Sequence, residues 1–173
     1  MVAFVIPHQH IVVMGVSGSG KTTTGTALAA RMGWPFIEGD SFHPPENVRK
    51  MAEGIALNDQ DRDPWLHALA DQIAACEARG QSSVLGCSAL KRAYRDILRS
   101  GAPRVRFLHI HGPRDLLAER LTHRAGHFFP PQLLESQLAT LEPLAPDEDG
   151  AVVDLALPVS EQVQMAVRLL GLE

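Results

Sequence analysis

The chain has 173 residues, 45 % of them apolar, and a formal net charge of −4 at pH 7. That length suits one α/β domain spanning residues 1–173, and that apolar share excludes a disordered chain. An acidic balance argues against a dedicated nucleic-acid binder, so local positive charge points to a small anionic ligand.

Residues 1–9 contain no Lys or Arg and only a short apolar run, too little for a secretory signal. His8 and His10 read as a solvated lead-in rather than a metal site. Residues 11–14 form the first strand, residues 21–32 a helix closed by Gly33, and residues 35–38 the second strand. Residues 45–53 read as a short helix ended by Gly54. Asp63 then Pro64 reads as a helix start, a capping carboxylate followed by proline in the first turn. Trp65, Leu66, Leu69, Ile73 and Cys76 share one face of the helix that follows.

Residues 83–87 are the third strand, residues 90–99 a helix and residues 105–110 the fourth strand. Helices over 114–124 and 132–141 flank a segment containing Gly126, Pro130 and Pro131. Residues 151–155 are the last strand, and Ser160 caps a final helix running to Leu170. Short apolar runs alternating with amphipathic ones predict a three-layer α/β/α fold around a five-stranded parallel sheet. No run of about 18 apolar residues occurs, so no membrane span is expected. Two cysteines, Cys76 and Cys87, make no disulfide framework and fit a reducing, cytosolic setting.

Gly15, Val16, Ser17, Gly18, Ser19, Gly20, Lys21 and Thr22 match G-x-x-x-x-G-K-[ST] in full, between an apolar strand and a helix. Glycines let the backbone curl around phosphate oxygens, and the helix N-terminus adds partial positive charge. Lys21 is placed to reach the β- and γ-phosphates of a nucleotide, and the Thr22 hydroxyl to ligate Mg²⁺. Thr23 follows in the same turn.

Ligands of doubly wound sheets bind beyond the C-terminal ends of the strands, so polar residues there are the acceptor-site candidates. Asp40, after the second strand, reads as a group that accepts or orients the proton of an attacking hydroxyl, or as a loop cap. His43 reads as a hydrogen-bond partner of a substrate hydroxyl or as a histidine packed beside Pro44. Asp59, Asp61 and Asp63 lack the glycine and distant glutamate of a calcium loop. Arg62 reads either as a two-pronged carboxylate contact or as an ion pair with these aspartates.

The third strand ends in Gly86-Cys87-Ser88, without the Asp that many P-loop enzymes use to hold the Mg²⁺ water shell. Lys91 and Arg95, one helical turn apart, read as an anion site or as an exposed basic face. Cys87 reads as a small packing residue. Arg120 and Arg124 share a helix face beside His127. They read as the arginines of a mobile lid, over about residues 120–133, that would offset phosphate charge and exclude water, or as a solvated helix face next to a loop.

Several motifs together resemble the gluconate kinase family, the gluconokinases of the shikimate-kinase-like P-loop group. The matching pieces are residues 14–21, Gly39-Asp40-x-x-His43-Pro44, Asn47-x-x-Lys50-Met51, Leu57-Asn58-Asp59-x-Asp61-Arg62-x-Pro64-Trp65-Leu66, Cys87-Ser88-Ala89-Leu90-Lys91-x-x-Tyr94-Arg95-Asp96 and Gly126-His127-Phe128-Phe129. The resemblance implies ATP with Mg²⁺, transfer to the 6-hydroxyl of D-gluconate, and a cytosolic homodimer. Carried over by position, it makes Asp40 the base or orienting group, with Lys21 and Arg124 in the catalytic set. Arg62, with His43, Arg49 or Lys91, would hold the sugar acid. Arg120 and Arg124 would clamp phosphate, and the segment near Pro158 would lie against adenine. The family motif carries the same Cys-Ser where the strand-end Asp is missing.

Overall fold

The computed structural model describes residues 7–122 and 130–173. Among these residues five strands make one parallel sheet: β1 (His10–Met14), β2 (Phe36–Glu38), β3 (Ser83–Gly86), β4 (Val105–His111) and β5 (Gly150–Asp154). Their order across the sheet is β2-β3-β1-β4-β5. Among the described residues seven helices accompany them: α1 (Lys21–Met32), α2 (Pro45–Ala52), α3 (Asp59–Ala78), α4 (Arg92–Arg99), α5 (Arg114–Thr122), α6 (Pro131–Thr140) and, after the last strand, α7 (Val159–Leu170). A single turn of 3₁₀ helix, Gly39–Phe42, follows β2.

The order places β1 at the centre, with β3 on one side and β4 on the other. The chain runs out one way through α1 and returns the other way through α3 and α4. Right-handed crossovers then put these helices on opposite faces, giving three layers. β1 is buried along its whole length, as a central parallel strand covered on both sides must be. Its side chains pack with Leu28, Leu69, Ile73, Leu85 and Phe107, all fully buried. Each such side chain contributes about 1.5–3 kcal/mol through burial.

The described helices include none long and apolar enough to cross a membrane. Cys76 and Cys87 are both buried and unbridged.

Four local readings differ from the sequence-based ones. α3 begins at Asp59, a turn earlier than Asp63-Pro64 suggested, because Asn58 and Asp61 form a reciprocal capping box. Pro64 therefore lies inside the helix, and Arg62 belongs to the helix rather than to a preceding loop. α4 begins at Arg92 rather than at residue 90, because Ala89 takes a left-handed φ of 46°. α7 starts after Pro158, with no side-chain cap from Ser160. His10 is not a solvated lead-in: it is buried as the first residue of β1, with Nδ1 2.8 Å from Ser83 Oγ and Nε2 2.7 Å from Glu77 Oε2.

Candidate active site

The phosphate loop leaves the C-terminal end of β1 and turns into α1 between β3 and β4. Gly20 caps α1 at φ 93°, a left-handed conformation that an L side chain rarely adopts. A Cβ there would meet nothing within 4 Å, so the loop faces open space at the helix N-terminus. The Lys21 ammonium donates to the Val16 carbonyl over 3.1 Å, across the mouth of the loop. Ser19 Oγ is buried and makes no hydrogen bond among the described residues. An unpartnered buried hydroxyl in a glycine-rich loop at a helix N-terminus fits a loop built to receive phosphate oxygens.

The 3₁₀ turn after β2 presents the acceptor-side groups. Gly39 permits this turn: a Cβ on it would lie 2.2 Å from the Gly86 carbonyl oxygen. The Trp65 indole N–H then donates to the Gly39 carbonyl over 2.8 Å, fixing the turn against α3. The His43 ring stacks on Trp65 with centroids 4.0 Å apart. The Asn47 amide donates to His43 Nδ1 over 3.3 Å, so neutral His43 carries its proton on Nε2. Nε2 lies 3.9 Å from Asp40 Oδ1. Burial lowers the His43 pKa to about 4, so the ring is neutral at physiological pH.

Two cavities meet at this point. One, of about 210 Å³, is lined by Ser17, Gly18, Gly20, Lys21, Thr22, Thr23, Asp40 and Arg120. The other, of about 350 Å³, extends over the 3₁₀ turn and α2, and includes Asp40, His43, Arg62, Trp65, Ser136 and Gln137. Ser17, Lys21 and Asp40 line both.

Arg62 is 7 % exposed and directs a guanidinium nitrogen to Tyr94 Oη over 3.1 Å. Tyr94 in turn donates to Asp59, which Lys91 also contacts over 3.0 Å. Hydrogen bonds from Tyr94 and then Lys91 hold the Asp59 pKa below the usual carboxylate value. Arg62 thus hydrogen-bonds a phenol rather than the neighbouring aspartates, and its guanidinium lines the cavity. Asp61 serves the α3 cap and Lys50, and Asp63 stands 3.4 Å from His67.

The remaining candidates are placed as follows. Lys91 opens onto a neighbouring cleft that shares Arg62 and Leu57 with the acceptor cavity. Arg49 is exposed on α2 and does not line the cavity. Arg95 is no anion site: it is fully buried, paired with Glu148 and bonded to the Ala89 carbonyl. Arg120 lines the phosphate-side cavity and donates to the Leu155 carbonyl over 2.8 Å. Pro158 is exposed as the N-cap of α7, where Gln162 holds the loop through the Leu155 and Leu157 carbonyls. Arg124 and the rest of residues 123–129, half of the segment read as a lid, lie outside the described residues. Burial raises the Cys87 thiol to about 12, which rules out a thiolate nucleophile.

Glu38 was not singled out by sequence. Its Oε2 accepts the Thr22 hydroxyl over 2.5 Å, bringing a carboxylate to the residue that the P-loop offers a metal. Hydroxyl and carboxylate oxygens are the hard donors that Mg²⁺ takes, usually with several waters retained. The signal was available: Glu38 is the last strand residue in Glu38-Gly39-Asp40, at the ligand-binding end of the sheet.

A doubly wound sheet whose phosphate loop and basic acceptor cavity meet at three shared residues is the architecture of a P-loop small-molecule kinase. A family model described as an AAA domain matches residues 11–144. The gluconokinase of Gluconobacter oxydans (strain 621H) is 53 % identical over 145 residues, covering 84 % of this chain and 80 % of that protein. A sugar kinase from Janibacter sp. HTCC2649, solved unliganded, superposes with a TM-score of 0.91 at 51 % identity, covering 95 % of each chain. A gluconokinase from Sinorhizobium meliloti 1021 gives a TM-score of 0.86 at 51 % identity, covering 95 % of this chain and 92 % of that one. The chain belongs to the gluconokinase family.

Proposed function

We propose that the chain transfers the γ-phosphoryl group of ATP to the 6-hydroxyl of D-gluconate, giving 6-phospho-D-gluconate and ADP. The observation that carries this reading is the sharing of Ser17, Lys21 and Asp40 between the phosphate-side and acceptor-side cavities. A group bound in one would face a group bound in the other across these residues. The acceptor cavity, at about 350 Å³, is of a size for a small polyhydroxy acid, and Arg62 supplies a buried cation for its carboxylate.

Asp40 accepts or orients the proton of the 6-hydroxyl while its oxygen forms the new bond to phosphorus. The bond from phosphorus to the departing ADP oxygen breaks in the same transfer. Lys21 and the N–H groups at the start of α1 offset the charge on the phosphate oxygens, with Arg120 at the edge of the cradle. His43 directs its Nε2 proton toward Asp40 and a bound hydroxyl, and its stacking on Trp65 fixes that direction. Mg²⁺, once bound, supplies further charge neutralisation; Thr22 would ligate it and Glu38 would orient its waters. The same reading includes a single kinase domain, a lid over about residues 120–133 with Arg124, adenine near Pro158, and a cytoplasmic homodimer.

Incubation of the purified protein with ATP, Mg²⁺ and gluconate tests this by phosphorus NMR of the product. A new phosphomonoester on carbon 6 is the expected result, and ADP with free phosphate alone would contradict it.

A further inference from the structure

We infer that Gln137 binds the acceptor: one end of its carboxamide is held by the phosphate loop, and the other donates to a hydroxyl of the sugar acid. This inference rests on the kinase reading above. Gln137 lies on α6, and its Oε1 accepts the Ser17 backbone N–H over 2.7 Å. A backbone N–H only donates, so the oxygen of the carboxamide must face Ser17. The NH₂ end then points away from the loop, and it makes no hydrogen bond to any described residue.

That free end belongs to the acceptor cavity. Gln137 lines it beside Ser136 and Leu133 of the same helix, and it does not line the phosphate-side cavity. A neutral pair of N–H donors suits hydroxyl oxygens, while Arg62 suits the carboxylate. Position 17 is one of the three residues common to both cavities. A Gln137 bonded there and to the acceptor fixes the acceptor against the backbone that receives the phosphoryl group, a direct means of aligning the reactants.

The alternative is a clip that merely ties α6 to the loop. α6 has a second tether just beyond its end: the Glu142 N–H donates to the Leu90 carbonyl over 2.7 Å, and Glu142 Oε1 accepts the Arg92 N–H over 3.1 Å. The helix therefore does not depend on Gln137 for its place.

The experiment compares the wild type, Gln137→Leu and Gln137→Glu, each with gluconate and with gluconates lacking one hydroxyl in turn, at saturating ATP. In the wild type, loss of the contacted hydroxyl lowers kcat/KM on the order of tenfold. In Gln137→Leu, gluconate itself falls by about that factor and the same deoxygenation costs nothing more. Gln137→Glu keeps an oxygen for Ser17 but offers no donor, so it is not rescued. Binding of a non-hydrolysable ATP analogue verifies that the phosphate loop of each variant is folded, and Gln137→Met replaces any variant that fails.

Wild-type efficiency in Gln137→Leu overturns the inference, as does rescue by Gln137→Glu. So does an equal loss for gluconate and every deoxy acceptor. A wild type inert toward every sugar acid overturns the kinase reading and this inference with it, and it is seen before any variant is made.

Discussion

The Thr22 hydroxyl donates to Glu38 over 2.5 Å, joining the first turn of α1 to the last residue of β2. Glu38 pairs in register with Gly86, the last residue of β3, where many P-loop enzymes keep an aspartate. The carboxylate missing from β3 is thus present one strand over. Glu38→Gln should raise the Mg²⁺ concentration needed for half-maximal turnover and lower kcat by about 10–100-fold, the usual cost of an outer-sphere metal partner. A Mg²⁺ titration of ADP release in both proteins checks this, and an unchanged titration would remove Glu38 from the metal site.

Arg62 is held by Tyr94, and Tyr94 by Asp59. Arg62→Ala should raise the gluconate KM by about 10–100-fold, the worth of charge-assisted hydrogen bonds to a carboxylate, and leave the ATP KM nearly unchanged. Tyr94→Phe should move the gluconate KM the same way by less. Steady-state kinetics with each substrate varied gives the answer, and an effect confined to ATP would argue against a carboxylate contact.

His43 and His109 both have pKa values lowered from 6.5 to about 4, first of all by burial. Between those values the unfolded chain takes up protons that the folded chain does not, so folded-state stability rises with pH across this window. It is complete above about pH 6.5 and lost as pH falls toward 4. His43→Gln should therefore flatten the fall in Tm between pH 6.5 and 4. The pH profile of kcat/KM should show no inflection near 6.5 that disappears in this variant.

Arg95 and Glu148 form an ion pair with side chains 0 % and 1 % exposed. Arg95 also donates to the carbonyl of Ala89, whose left-handed φ of 46° shapes the turn after β3. Arg95→Met should destabilise the fold by about 1.5–3 kcal/mol, since Glu148 loses its fully buried partner but keeps Arg99 and the Ala145 N–H. Urea unfolding of both proteins measures it.

The elements and the phosphate loop were legible because their signals are local: an apolar run, a glycine-rich turn, a lysine at a helix start. The beginning of α3 was legible too, in Asn58-x-x-Asp61, but the stronger-looking Asp63-Pro64 competed with it. Contacts across the sheet left no such trace. Lys91 and Arg95 look alike on a helical wheel, yet one reaches Asp59 at the rim and the other Glu148 in the interior. Arg62 and Tyr94 are 32 positions apart, and Ser17 and Gln137 are 120 apart. No spacing rule joins residues at such separations; only the folded sheet does.

The central claim is that the two cavities sharing Ser17, Lys21 and Asp40 hold ATP and gluconate. ADP release by the purified protein with ATP and Mg²⁺ tests it most directly, across gluconate, shikimate, other sugar acids and nucleoside monophosphates. Stimulation by gluconate alone, abolished in Lys21→Ala and Asp40→Ala while the fold is kept, is the predicted result. Turnover that no acceptor stimulates would contradict it, leaving a loop that binds nucleotide without a transfer reaction.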